Sequence, residues 1–407
     1  MITATDLEVR AGARTLLAVE GSALRVQPGD RIGLVGRNGA GKTTTMRILA
    51  GEGEPYAGTV TRIGAVGYLP QDPREGDLDV LARDRVLSAR GLDTLLADLE
   101  KQQVLMAEVA DDAARDKAIR RYGQLEERFS ALGGYAAESD AGRICASLGL
   151  AERVLTQPLR TLSGGQRRRV ELARILFAAS DAGAAANTTL LLDEPTNHLD
   201  ADSIGWLREF LRNHTGGLVV ISHDVDLLAD VVNRVWFLDA VRGEVDVYNM
   251  GWQKYLDARA TDEQRRRRER ANAERKAAAL RTQAAKMGAK ATKAVAAQNM
   301  LRRAEKMMAV LDDERVADKV ARIKFPTPAP CGRVPLTASG LTKNYGSLEV
   351  FTGVDLAIDR GSRVVVLGLN GAGKTTLLRI LAGVETPDAG VLEPGHGCKI
   401  GYFAQEH

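Results

Sequence analysis

Residues 36–51 read GRNGAGKTTTMRILAG and residues 368–383 read GLNGAGKTTLLRILAG, identical at 13 of 16 places. Each stretch carries the spacing GxxxxGK[ST], from Gly36 to Thr43 and from Gly368 to Thr375. Each also follows a short apolar run that predicts a strand and opens a segment that predicts a helix. In that context glycines let successive backbone N–H groups wrap a phosphate, and the helix N-terminus adds its positive dipole. The phosphate-binding candidates are therefore Gly36, Arg37, Asn38, Gly39, Ala40, Gly41, Lys42, Thr43 and Thr44, with Gly368, Leu369, Asn370, Gly371, Ala372, Gly373, Lys374, Thr375 and Thr376 in the second copy. Lys42 and Lys374 would reach the terminal phosphates, and the Thr43 and Thr375 hydroxyls would bind Mg²⁺.

Outward from the two loops the likeness continues. Pro28–Val35 matches Arg360–Leu367, and VGYLPQ ending at Gln71 matches IGYFAQ ending at Gln405, so the chain contains two copies of one domain. The 407 residues exceed one ordinary domain. No apolar run approaches the ~20 residues of a membrane-spanning helix, which excludes a membrane-inserted chain. Met1–Arg10 lacks a signal peptide's charge pattern. Cys145, Cys331 and Cys398 are widely separated with no CxxC pair, so a reducing, cytoplasmic setting is expected and a disulfide frame or zinc site is not.

The net charge of +3 conceals its distribution. Residues 259–324 hold 19 Lys and Arg against 9 Asp and Glu, a net +10, leaving −7 for the other 341 residues. Their Ala, Arg, Lys, Glu and Gln predict two helices turning near Lys286–Lys290, with arms of about 28 residues and ~40 Å each at ~1.5 Å per residue. Pro326, Pro328 and Pro330 then end helix and begin a connector. The domains expected are 1–256, a basic helical linker at 257–325, and a second copy from 326 to 407. Inside the first copy, residues 93–132 carry apolar positions at helical spacing broken at Asp111–Asp112, which predicts a helical hairpin.

Three further places in the first copy carry chemistry. Thr188–Leu192 is an apolar strand ending in Asp193–Glu194, and such strand ends are where open α/β sheets bind ligands. Asp193 suits a Mg²⁺ partner and Glu194 a general base for an attacking water. A second apolar strand, Leu218–Ile221, ends at Ser222–His223 and brings an imidazole to the same edge. Leu162–Gln166 reads LSGGQ, a glycine-rich turn into the helix Arg167–Phe177.

Taken in this order, with the Gln71 loop and the run Asp193–Asp200, these motifs resemble the ATP-binding cassette (ABC) family. Two cassettes joined by a basic helical linker resemble its ABC-F branch in particular. The resemblance implies an α/β fold of P-loop NTPase cassettes with a helical arm insertion and a long helical-hairpin linker. It implies head-to-tail cassettes sandwiching ATP and Mg²⁺, paired within a full-length chain, and an ATPase whose closed form binds the ribosome. On that basis Lys42, Thr43, Gln71, Asp193 and Glu194 form one site, with Gln71 near the metal and His223 steadying the γ-phosphate. Ser163, Gly164, Gly165 and Gln166 cap the ATP on Lys374, Gln405 takes the place of Gln71 in the second copy, and Asp200 lies in the loop that crosses between cassettes. Tyr345 stacks the adenine of the second site, whereas Val9–Arg14 provides no aromatic for the first.

The second copy carries no LSGGQ, acid pair or switch His before His407. The sequence is thus expected to be a piece of a longer protein, with an uncovered sheet edge in its second cassette. The cationic linker predicts phosphate contact without base reading, directed by the resemblance to ribosomal RNA and tRNA in translation regulation or antibiotic resistance. The competing classes are the ATP-binding subunit of a drug transporter and a nucleotide-binding module without turnover.

Overall fold

In the computed structural model the described residues are 1–19, 21, 23–71, 78–108, 111–131, 133–180, 185–288, 294–309, 331–346, 348–368 and 371–404. The chain divides into two compact units, Met1–Arg315 and Val316–His407.

The first unit begins with β1 (Ile2–Ala11), β2 (Arg14–Ala18) and β3 (Ala23–Val26), followed by β4 (Arg31–Gly36), α1 (Lys42–Ala50), β5 (Ala57–Arg62) and β6 (Ala65–Leu69). A helical region follows, comprising α2 (Ala82–Leu87), α3 (Leu92–Glu108), α4 (Asp112–Ala131), α5 (Gly134–Ser147), α6 (Glu152–Leu155) and α7 (Gly164–Ala179). The unit continues through β7 (Thr188–Asp193), α8 (Ala201–Asn213), β8 (Leu218–Ile221), α9 (Val225–Val231), β9 (Arg234–Asp239), β10 (Glu244–Tyr248), α10 (Trp252–Gly288) and α11 (Ala294–Ala309).

Two sheets form its frame. In one, β1 pairs antiparallel with β2, β3 and β5. The other runs β10-β9-β4-β8-β7-β6, parallel except for β10 at the edge. Its central strands are apolar throughout because both faces are covered, and the two-residue period of a strand sends alternate side chains to opposite cores. Leu190, Leu192, Val220 and Phe237 pack towards the helices α2, α3, α5 and α7. Leu191, Val219, Ile221, Trp236 and Leu238 pack on the other side with Met46 and Leu49 of α1 and the strands of the antiparallel sheet. The arrangement holds α1 between two sheets, at the carboxyl ends of β4, β7 and β8.

Where a helical hairpin is expected at 93–132, the described residues form α3 and α4, whose Leu95, Leu99, Leu125 and Phe129 join the helical-side core. The basic helix α10 starts at Trp252, ahead of the expected boundary at 257, because its first turns belong to the cassette. Tyr255 is 1% exposed and sits 5.0 Å from the ring of Tyr248 and 5.3 Å from that of Trp252. The Arg259 guanidinium lies 4.1 Å from the centre of Phe237. Further along, buried Ala277 and Ala284 of α10 and Ala304 of α11 allow close helix packing. The turn expected at Lys286–Lys290 falls partly outside the described residues.

The second unit contains β11 (Leu336–Tyr345), β12 (Leu348–Ile358), α12 (Lys374–Leu381) and β13 (Ala389–Pro394), with β11 central in an antiparallel sheet. Here the sequence expectation requires correction. The apolar stretch before the second loop is not a strand, and Val364, Val365 and Leu367 are 63%, 76% and 85% exposed. The corresponding β4 has Ile32 and Leu34 at 0% and 1%, because β8 and β9 flank it. Among the described residues no strand pairs with residues 363–367, so the same pattern forms no ladder there.

Candidate functional site

The first loop is shaped by what its backbone must do. Gly39 and Gly41 have φ of 76° and 93°, a left-handed conformation that a side chain would strain. At Gly36 a Cβ would stand 2.7 Å from the Leu238 carbonyl oxygen, so glycine is required there by close approach. Lys42 opens α1 and turns its ammonium back over the loop, donating to the carbonyls of Gly36 at 2.9 Å and Arg37 at 3.2 Å. That geometry leaves the amide groups and the lysine facing one cleft of about 600 Å³. Its lining includes Asn38, Gly39, Gly41, Lys42, Thr43, Thr44, Gln71, Asp193, Glu194 and His223, so separate stretches of the sequence converge there.

The acid pair stands at the end of β7. Asp193 is 1% exposed, and its Oδ2 has no hydrogen-bond partner among the described residues. Burial raises its pKa, opposed by the Thr43 hydroxyl and by the charges of Arg168 and Lys42. A buried carboxylate oxygen beside a threonine hydroxyl and an ammonium is a fitting place for a divalent cation. Among the described residues no group of three or more His, Cys, Asp or Glu could hold a metal alone. Phosphate oxygens would have to supply much of the ligand shell.

Glu194 is 7% exposed and adopts φ of +51°, an unusual conformation for a residue with a side chain. Its N–H donates to the Ile221 carbonyl at 2.8 Å, and its Oε2 accepts from the His223 N–H at 3.2 Å. The His223 ring, largely exposed, brings Nε2 to 3.4 Å from Glu194 Oε1. Burial raises the Glu194 pKa, partly offset by the His223 N–H and ring. Burial also lowers that of Lys42, while Asp193 and Glu194 pull it back up. The cleft thus sets Lys42 against two carboxylates, with Arg14 also on its lining.

Ser163–Gln166 do not line this cleft. Ser163 caps α7: its hydroxyl accepts from the Gln166 N–H at 3.2 Å, and Gln166 Oε1 accepts from the Ser163 N–H at 2.9 Å. Gly164 and Gly165 form the first turn between them. In the second unit Lys374 donates to the Gly368 carbonyl at 2.8 Å, and Gly371 and Gly373 repeat the left-handed φ at 85° and 83°. Ala372 lies in this loop, and Thr375 and Thr376 are in the first turn of α12. Tyr345 ends β11, half-exposed, with its hydroxyl on Glu385. Leu369, Asn370 and Gln405 lie outside the described residues.

Sequence reasoning passed over Arg168, which lies in a run of three arginines that reads as a charged surface. It is 5% exposed and reaches the backbone of the acid pair. Arg14 and Leu16 also line the cleft without any motif to mark them, and Asn197, inside the run Asp193–Asp200, lines it too.

The ABC transporter family matches residues 19–197 and again 351–405, and a second family of the same description matches 238–325. The chain belongs to the ABC family. Its relatives are ABC-F proteins, the branch that two cassettes joined by a basic helical linker resemble. The tylosin resistance ATP-binding protein TlrC of Streptomyces fradiae is 34% identical over 94% of this chain and 72% of its own length. The energy-dependent translational throttle protein EttA of Mycobacterium tuberculosis is 32% identical over 98% of this chain and 69% of its own. The probable ATP-binding protein YheS of Escherichia coli is 30% identical over the whole of this chain, which spans 60% of that protein's length.

Proposed function

We propose that the Lys42 cleft binds ATP with Mg²⁺ and hydrolyses it, and that the protein works on the ribosome, holding RNA through α10 and α11. The observation that best supports hydrolysis is the meeting of Asp193, Glu194 and His223 with Lys42 and Thr43 in one cleft. The loop amides and Lys42 would bind the β- and γ-phosphates, and Thr43, Asp193 and Gln71 would hold the ion. Mg²⁺ when bound neutralises phosphate charge. Glu194 would accept the proton of the attacking water, and its buried carboxylate is suited to that work because burial makes it a better base. His223 would steady Glu194 and the γ-phosphate.

Ser163–Gln166 would serve a nucleotide held by another cassette, as the nucleotide on Lys374, Thr375 and Thr376 would be, with Tyr345 against its adenine and Gln405 near its ion. Residues 1–256 would form the first cassette, 257–325 the linker and 326–407 the opening part of a second. Of the two roles, the name of EttA, a translational throttle, supports translation regulation, and that of TlrC, a tylosin resistance protein, supports antibiotic resistance.

ATPase rate with and without ribosomes tests the reading. Glu194→Gln is expected to retain ATP and cosediment with ribosomes; free sedimentation of that variant in the presence of ATP defeats the ribosomal part. No helix among the described residues is long and apolar enough to cross a membrane.

A further inference from the structure

Arg168 is a guanidinium placed where charge is costly, and it reaches the backbone of the cleft at three points. Nη2 donates to the carbonyl of Asp193 at 2.6 Å and of Glu194 at 3.0 Å, and Nη1 donates to the carbonyl of Pro70 at 3.1 Å. Pro70 immediately precedes Gln71. One planar fork therefore joins three backbone positions that carry or adjoin three of the cleft's functional side chains, and it does so from α7, whose N-terminus is the LSGGQ turn. From the bonds on this fork we infer that Arg168 is a positioning residue for hydrolysis: it holds the Glu194 peptide, and with it the carboxylate, in the orientation that takes the proton of water.

The backbone of Glu194 explains why such a clamp is needed. A φ of +51° is sparsely populated for a residue with a Cβ and persists only where its surroundings over-determine it. The peptide is held on one side by its N–H on Ile221 and on the other by its carbonyl, which accepts from Arg168 at 3.0 Å and from the Asn197 N–H at 3.3 Å. Loss of the shorter Arg168 bond leaves this carbonyl with the longer Asn197 contact, which lets the peptide rotate towards an ordinary conformation and swing the side chain away from His223. Arginine suits the task because its fork presents several fixed donors, whereas lysine offers a compact point charge on a flexible stem.

This inference rests on the proposed hydrolytic role of Glu194, and the test separates the two. In the full chain, Arg168→Met and Arg168→Lys are compared with the unaltered protein and with Glu194→Gln in single-turnover ATP hydrolysis, ATP binding and thermal unfolding. The expected result is a fall in the hydrolysis rate of at least ~10-fold for both Arg168 variants, with ATP affinity within ~2-fold, because the loop and Lys42 are untouched. Combined with Glu194→Gln, either Arg168 variant is expected to add less than ~2-fold, since both changes disable the same step.

A wild-type hydrolysis rate in a folded Arg168→Met or Arg168→Lys overturns the inference while leaving Glu194 as the base. So does a parallel loss of affinity, stability and rate, which would mark Arg168 as a general strut. If Met at this buried position prevents folding, the Lys variant carries the test alone. Hydrolysis indifferent to Glu194→Gln overturns the proposed function and this inference together.

Discussion

At the residue scale, Asp193 and Glu194 share a strand end but are prepared differently. Asp193 is sunk beneath the surface with its Oδ2 unpartnered among the described residues, whereas Glu194 is turned out of regular backbone and its carboxylate meets His223. General base catalysis typically contributes 10²–10⁴-fold, so Glu194→Gln is expected to cut single-turnover hydrolysis by about that factor with ATP binding kept. The pH profile follows from burial. Glu194 must be ionised to accept a proton, and its pKa is raised, so the acidic limb of the hydrolysis rate is expected at higher pH than an ordinary glutamate would give. Asp193 gives a stability prediction of definite sign. With its folded pKa above the unfolded one, its contribution to stability is present below the unfolded pKa and is lost as pH rises through the folded pKa. Asp193→Asn is therefore expected to raise the unfolding temperature at pH 8, and the gain should shrink on acidification, while Mg²⁺-dependent nucleotide binding is lost.

Elements carry their own predictions because their ends are built from identifiable contacts. The capping box at the start of α7 satisfies two backbone groups reciprocally, and Ser163→Ala should cost about 1 kcal/mol in urea unfolding. The root of α10 is more heavily built. Its Tyr255 fills a core position between Tyr248, Trp252 and Arg259. Tyr255→Ala is expected to cost about 3–5 kcal/mol, as for other large aromatic truncations. It should also raise amide exchange over residues 252–260. An unchanged exchange pattern would mean that α10 holds its place on the cassette without this anchor.

For the whole molecule, charge and its neutralisation decide how the basic rod can act. The run of arginines from 265 to 268 is not uniformly available: Arg265 lies 3.5 Å from Asp262, and Arg266 lies 3.9 Å from Asp246 of the cassette. Arg270 pairs with Glu274 at 2.9 Å. Arg275, Lys276 and Arg281 follow further along α10, and all three are exposed. Replacing these three by Glu should weaken RNA binding and flatten the log–log salt slope by about 0.7–0.9 for each phosphate no longer neutralised. The unfolding free energy should stay within about 0.5 kcal/mol, since surface substitutions change it little. An unchanged slope would return the rod to a solubilising role.

Much of this was legible in the linear sequence because it is local. The glycine spacing of the loops dictates left-handed turns and a helix start, the apolar strands dictate two covered faces, and the repeat dictates two copies. What lay beyond reach depends on neighbours far away in the chain. Among three consecutive arginines, only packing against β6 and β7 decides that Arg168 is the buried one. The stretches at 31–36 and 363–367 are close in composition, yet only the one between β8 and β9 becomes a strand, because a strand exists through hydrogen bonds to its neighbours. Local spacing thus determined the glycine-rich loop and its helix start, and tertiary contact decided which carboxylates, which guanidinium and which strands surround it.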